Sequence, residues 1–216
     1  MDCGHLIKQM VEKQIIERGI KNQRVLSVFL SIPRHKFVAP ELMRCAYEDC
    51  PLSIGSGQTI SQPYMVALMT ELLQVTEKMK VLEIGAGSGY QSAILGALAA
   101  EVYSLERIEV LAKTAAVTLS SLGIENVHIK IADGSVGFKE RQPFDAIMVT
   151  AGAPRVPQAL LDQLAEGGRL VIPVGNRFSQ ELMCLQKKDG KILETRSCSC
   201  IFVPLLGQQG WSVDNE

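Results

Sequence analysis

The chain has 216 residues, 47% of them hydrophobic and 21% charged, with a formal net charge of -1. That is enough apolar material for one sizeable core, and a single domain over residues 1–216 is the expectation. Lysine and arginine form no block or stripe, which argues against a nucleic-acid partner and against a membrane surface.

The opening "MDCGHLIKQMVEKQ" carries charges throughout and has no apolar core of a signal peptide. No apolar run approaches the roughly 18 residues of a spanning helix, so a soluble, cytoplasmic protein is expected. Leu6, Met10, Val11 and Ile15 recur at helical spacing and predict helix over 6–32. Pro33 and Pro40 break that pattern, and residues 33–60 read as irregular with one short strand near Leu52–Ile54. A Gly55-Ser56-Gly57 entry then leads to Thr59, Ser61 and Pro63. From residue 62 the helical period returns in Met65, Leu68, Met69, Leu72 and Leu73.

From Lys80 strands and helices alternate. Strands are predicted at 80–86, 101–106, 127–132, 144–151 and 168–175, and helices at 89–99, 107–122 and 156–165. Apolar strands separated by helices imply an α/β fold, with a parallel sheet covered on both faces. The tail "ELMCLQKK", "ILETRSCSC" and "IFVPLL" reads as further strands with a turn at Asp189-Gly190, giving the sheet a partly antiparallel end. The division expected is an N-terminal helical and loop extension, 1–76, followed by a cofactor sheet and C-terminal strands, 77–216.

The cysteines, Cys3, Cys45, Cys50, Cys184, Cys198 and Cys200, are scattered, and Cys198-Ser-Cys200 is too tight for a zinc pair. Reduced thiols and no metal site are expected. His5, His35 and His128 lie far apart, so no Ser-His-Asp or Cys-His set suggests itself; His35, beside Arg34 in a proline-flanked loop, is the one to watch.

The strongest chemical signal is "VLEIGAGSGY", 81–90, a buried strand ending in glycines that opens a helix. Glycine turns sharply and lets a ligand approach the backbone. An acid, Glu106, ends the next strand 17 residues beyond Gly89, near the spacing at which a carboxylate binds ribose hydroxyls. The pattern is G-x-G-x-G preceded by Glu83, not the G-x-G-x-x-G that holds a pyrophosphate. That favours S-adenosylmethionine over a nicotinamide cofactor. A third strand ends in Asp133-Gly134, where a carboxylate could accept from the adenine amine; a plain Asp-Gly turn is the alternative. Three acids at three strand ends fit the place where open α/β sheets bind ligands.

Longer stretches now carry a resemblance. "IPRHKFV", "AYEDCPLSIGSGQTISQPYMVALMTELL", "VLEIGAGSGYQSA", "ADGS", "FDAIMVTAGAPRVPQALLDQLAEGGRLVIPVG" and "FVPLLG" resemble the protein-L-isoaspartate O-methyltransferases over nearly the whole chain. "GQTISQPYM", 57–65, is the specific part. The resemblance implies a Rossmann-like seven-stranded methyltransferase sheet, S-adenosylmethionine as donor and S-adenosylhomocysteine as product. It also implies a free isoaspartyl carboxylate in a damaged peptide or protein as acceptor. Gly85, Gly87, Ser88 and Gly89 would line the cofactor, Glu106 its ribose, and Asp133 with Gly134 its adenine. Thr59, Ile60 and Ser61 would lie between cofactor and substrate, and Val203, Pro204 and Leu205 would form the peptide-binding strand. Some relatives carry a hydroxyl where this chain has Leu206. A monomer is expected.

A carboxylate with a reference pKa near 4 is ionised at neutral pH, so such a transfer needs no general base. Two roles are open to Ser61: donating to the substrate carboxylate as the catalytic hydroxyl, or capping the helix that Pro63 begins. Ala151–Pro154 reads either as lining of the substrate cleft or as an ordinary lead into a helix. The alternative function is methyl transfer to a small-molecule oxygen or nitrogen, which would call for a base beside the methyl group. A non-catalytic cofactor-binding protein is a third reading, which a degraded glycine turn, Glu106 or Asp133 would have favoured.

Overall fold

The structure, a computed structural model, describes residues 3–212. The last four residues of "GQQGWSVDNE", 213–216, lie outside them. The N-terminal helical stretch is not one helix but three pieces. Helix α1 (Cys3–Met10) runs into a π-helical turn at Val11–Ile16 and ends at Gly19, whose φ is +99°. Helix α2 (Gln23–Ser31) starts afresh because the Asn22 side chain accepts from the Arg24 and Val25 N–H groups. Apolar periodicity runs through that break, which is why it hides it.

Residues 33–60 hold a two-stranded hairpin, β1 (Leu52–Gly55) with β2 (Gln58–Ile60), rather than a lone strand. Ser56 and Gly57 turn it with positive φ. Helix α3 (Pro63–Leu73) follows, then the alternating region. Its elements are β3 (Lys80–Ile84), α4 (Tyr90–Gly96), β4 (Glu101–Glu106), α5 (Glu109–Ser121), β5 (Val127–Ile131), β6 (Phe144–Val149), α6 (Gln158–Asp162) and β7 (Leu164–Gly175). Two long strands, β8 (Gln180–Lys188) and β9 (Lys191–Cys200), close the sheet. They turn at Asp189 and Gly190, both at positive φ, as a two-residue hairpin requires.

The seven strands lie in the order β5-β4-β3-β6-β7-β8-β9. The first five positions pair in parallel, and β8 and β9 add antiparallel. Strand β3 lies between β4 and β6, so the order reverses there and opens a crevice at the strands' C-terminal ends. Residues 201–206 are not the strand expected of "IFVPLL". They form single parallel bridges, Pro204 to Gly152 and Leu206 to Trp211.

Both sheet faces are covered. On one, Val81, Val102, Ala146 and Val171 pack with α4 and with Met10, Ile15, Phe29 and Phe37 of the extension. On the other, Leu82, Ile84, Ile147 and Ile172 pack with Leu160 and Leu205. The extension is therefore part of the core, and it holds β1, β2 and α3 over the crevice.

Candidate active site

The sheet side of the crevice starts at the glycine turn. Gly85, Gly87 and Gly89 all have positive φ, a conformation that costs glycine little. The absent side chains also matter, since a Cβ on Gly85 would lie 2.4 Å from Thr150 Oγ1. Thr150 follows β6 directly and donates to the Ile84 or Gly85 carbonyl, at 2.9 and 2.6 Å, which ties the turn to the neighbouring strand.

Glu106 is nearly buried, and its carboxylate is braced by backbone. Oε2 accepts from Gly87 N–H and Oε1 from Ile108 N–H, each at 2.9 Å. Lone pairs remain on both oxygens, facing a cleft of about 630 Å³ including its mouth. Gln58, Thr59, Ile84, Gly134, Leu205 and Leu206 are among its other walls. A mostly apolar slot with one fixed carboxylate suits a nucleoside, so the residues present fit the adenosine part of S-adenosylmethionine.

A second hollow joins the first behind Thr59, against Ile60, Ser61, Gly85, Ala86, Gly87, Ser88 and Gln91. A third, an open groove, is lined by Ser61, Gln62, Met65 and Ser199–Val203. Thr59 and Thr150 border all three spaces. Ser61 borders the second and third. Thr59, Ser61 and Thr150 thus stand at a neck: the two threonines border the cleft, the second hollow and the open groove, and Ser61 borders the last two.

Ser61 is not the cap of α3. The N-cap is Gln62, whose side chain makes no capping bond, and Pro63 occupies the first turn. The Tyr64 N–H is taken by Asp49 Oδ1 at 3.1 Å, from 15 residues upstream. Ser61 Oγ makes no hydrogen bond among the described residues. Of the two roles open to Ser61, the structure removes capping.

Two acids are not brought to the cleft. Glu83 is fully buried, and its Oε2 accepts from Ser92 and Ser104 on the α4 side of the sheet. Successive strand residues face opposite ways, and Glu83 points away from Leu82 and Ile84, into the core. Burial pushes its pKa up to about 7. Asp133 turns to the chain beyond Leu206. Its Oδ1 accepts from Ser135 N–H and Oγ, and Oδ2 accepts from Gln208 N–H at 2.8 Å. Gly207 passes so close that a Cβ there would lie 2.1 Å from Oδ1. Gly134, beside it, does line the cleft.

Val203, Pro204 and Leu205 line the cleft's outer wall. Gly152 donates its N–H to the Val203 carbonyl and accepts from Leu205 N–H, both at 2.8 Å. Leu206 lines the cleft too, and the hydroxyls sharing that lining belong to Thr59 and Thr150. Gln58, Thr150, Arg107 and Ile108 are wall residues that the sequence reading missed. Thr150 had a signal, since it directly follows a strand next to the glycine strand. Of the Ala151–Pro154 stretch, Ala151 reaches the cleft. His35 borders none of these three spaces; its Nδ1 pairs with Tyr47 Oη at 2.5 Å. The six cysteines are free thiols. Among the described residues no group of three or more His, Cys, Asp or Glu could hold a metal, and no helix is long and apolar enough to cross a membrane.

Comparison with known proteins identifies the family. Residues 5–210 match the family model of protein-L-isoaspartate(D-aspartate) O-methyltransferase. A protein-L-isoaspartate O-methyltransferase of Geobacter metallireducens is 56% identical over 208 residues, 96% of each chain. One from Trichlorobacter lovleyi is 53% identical, again over 96% of each. Among solved structures, a protein-L-isoaspartate O-methyltransferase superposes with a TM-score of 0.84 at 31% identity, covering 94% of this chain and 67% of that one. A Plasmodium falciparum relative in complex with S-adenosyl-L-homocysteine gives 0.79 at 30% identity, covering 94% and 97%. The chain belongs to the protein-L-isoaspartate(D-aspartate) O-methyltransferase family.

Proposed function

We propose that this chain transfers a methyl group from S-adenosylmethionine to the free carboxylate of L-isoaspartyl residues, with Ser61 holding that carboxylate at the neck of the cleft. The cofactor supplies a methyl carbon already activated by a sulfonium. The observation that carries the reading is the neck itself: an unpaired serine hydroxyl shared by the second hollow and the open groove, next to the cleft that holds Glu106, with no base beside it. The titratable side chains bordering the three spaces are Glu106, Arg107, Tyr90 and Cys200. Glu106 is held by backbone donors, and burial pushes the Cys200 thiol up to about 12 and the Tyr90 phenol higher still. Neither the thiol nor the phenol can take a proton from an alcohol or amine at neutral pH, whereas a carboxylate substrate has none to give up.

The residues then have separable tasks. Glu106 accepts from the ribose hydroxyls, and the glycine turn, with Ser88, lets the cofactor lie against backbone. Gly134 lines the adenine end. Thr59, Ile60 and Thr150 form the neck, which excludes water from the line of transfer. Ser61 donates to one carboxylate oxygen and leaves the other directed at the methyl carbon. Val203–Leu205 supply an extended wall for the peptide. Alignment of this kind is worth on the order of 7 kcal/mol or more of barrier. After release, the following backbone N–H displaces methanol from the ester to close a succinimide, and water reopens the ring partly to aspartate.

The near-neutral charge and lack of a basic stripe support a cytoplasmic enzyme with no nucleic-acid or membrane partner, read as a monomer. The core that joins extension and sheet supports reading 1–76 and 77–216 as one unit. Labelled S-adenosylmethionine offered with two peptides, identical except for isoaspartate or aspartate at one site, tests the function. Base-labile label on the isoaspartyl peptide alone is expected; label on both or neither overturns it.

A further inference from the structure

We infer that Asp49 is a positioning residue of the substrate neck: by capping α3 from outside the helix it frees the Ser61 hydroxyl for the isoaspartyl carboxylate. This rests on the substrate role proposed for Ser61. A serine just ahead of a helix ordinarily turns its hydroxyl onto the backbone N–H two or three residues on. Three residues after Ser61 stands Tyr64, and its N–H already donates to Asp49 Oδ1 at 3.1 Å. Asp49 therefore occupies the donor that a Ser61 cap would use.

An aspartate holds this donor better than serine would, since a carboxylate gains from both the ionic hydrogen bond and the positive end of the helix. It is also locked. Oδ2 pairs with Arg18, and the Arg18 guanidinium lies over the Tyr64 ring, 3.4 Å from its centroid. One arginine thus grips both the capping residue and the residue capped. It also balances the Asp49 charge, which would otherwise stand near an anionic substrate.

A double-mutant cycle over Asp49→Ala and Ser61→Ala tests this, read by steady-state kinetics on an isoaspartyl peptide and by thermal unfolding. Ser61→Ala alone should lower kcat/KM about 10-fold or more, the worth of a hydrogen bond to a charged group, while leaving Tm within about 1 °C because no cap is lost. Asp49→Ala should lose a comparable factor, with KM for S-adenosylmethionine within about 3-fold, because Ser61 turns onto the Tyr64 N–H. In that background Ser61→Ala should cost less than about 2-fold further in activity but now lower Tm by roughly 2–4 °C, as loss of a cap does. Asp49→Asn keeps an acceptor and should restore most of the activity lost in Asp49→Ala.

Independent, multiplying losses of activity with no new Tm penalty would overturn the proposal. So would an Asp49→Asn enzyme as impaired as Asp49→Ala. If Ser61→Ala alone leaves activity intact, the Ser61 role fails instead, and the Tm arm still reports whether Asp49 displaces a serine cap. Should Asp49→Ala not fold, hydrogen exchange on the native protein remains: a Tyr64 amide exchanging as fast as an unbonded one would rule the cap out.

Discussion

The two walls of the cleft are built on different principles. The sheet wall is made of regular elements: glycines at the end of β3, Glu106 at the end of β4 and Thr150 just past β6. Its groups are fixed by strand register and by backbone donors of the turns that follow β3 and β4. The opposite wall, residues 46–65, has a short hairpin and little else regular. It is held by side chains reaching from afar: Arg34 Nε to the Ala46 carbonyl at 2.7 Å, Gln14 to the Tyr47 carbonyl at 2.7 Å, and Asp49 to Tyr64. In the function proposed above, the first wall takes what is the same in every turnover, the cofactor. In the same proposal the second meets the variable partner, the damaged peptide.

Substitutions on the two walls should therefore fail in different assays. The largest effect is expected for Ser61→Asp. A second carboxylate about 4 Å from the substrate's, at an effective dielectric near 20, costs about 4 kcal/mol. Peptide kcat/KM should fall roughly 10³-fold, with unfolding little changed, since Ser61 is not a cap. Normal turnover by a folded variant would remove Ser61 from the substrate site. On the sheet wall, Glu106→Gln forces an amide N–H against a backbone N–H and halves the acceptors. Titration calorimetry should show S-adenosylmethionine affinity down roughly 30- to 100-fold. Peptide affinity, measured in saturating cofactor, should hold.

Glu83 separates stability from binding within the sheet wall. Its folded pKa, about 7, is raised above that of the exposed acid, mainly by burial. The folded state then binds more protons than the unfolded one, so stability falls as pH rises between about 4.5 and 7. The loss across that window is at most about 3 kcal/mol. Glu83→Gln should flatten it in urea unfolding while cofactor affinity stays within about 3-fold. A binding loss would return Glu83 to the cleft. The smallest effect is expected for Leu206→Thr, since two threonines already share that lining. A change in peptide KM beyond about 3-fold, more than a weak neutral hydrogen bond supplies, would show that the leucine departure matters.

The same contrast explains what could be read from the sequence. The strands from Lys80 to Gly175, the glycine turn and Glu106 were legible because period, turn chemistry and spacing are local signals. Glu83 was misplaced because its position near a strand end is visible but its face is not. Both faces of β3 are buried, so no polar alternation marks the direction. Asp133 looked like a ligand acid because its partner, the Gln208 N–H, lies 75 residues away. Asp49 drew no attention for the same reason: nothing local ties an acid to the N–H of a helix 15 positions later. The opening helices merged into one because the apolar stripe continues across Gly19, and the Asn22 cap was overlooked.

One feature of the outer wall bears on how the protein assembles in time. Residues 203–211 follow all seven strands, yet 203–206 roof the cleft, with Gly152 hydrogen-bonded to Val203 and Leu205 and with Asp133 and Ser135 receiving the Gln208 and Gln209 amides. The ring closed by the Asp133–Gln208 contact spans 75 residues, and chain entropy makes so long a closure wait for something else to bring its ends together. The sheet does that. A nascent chain can complete its fold of strands and helices while still lacking a roof, so competence to hold a reactant is acquired as a distinct last event.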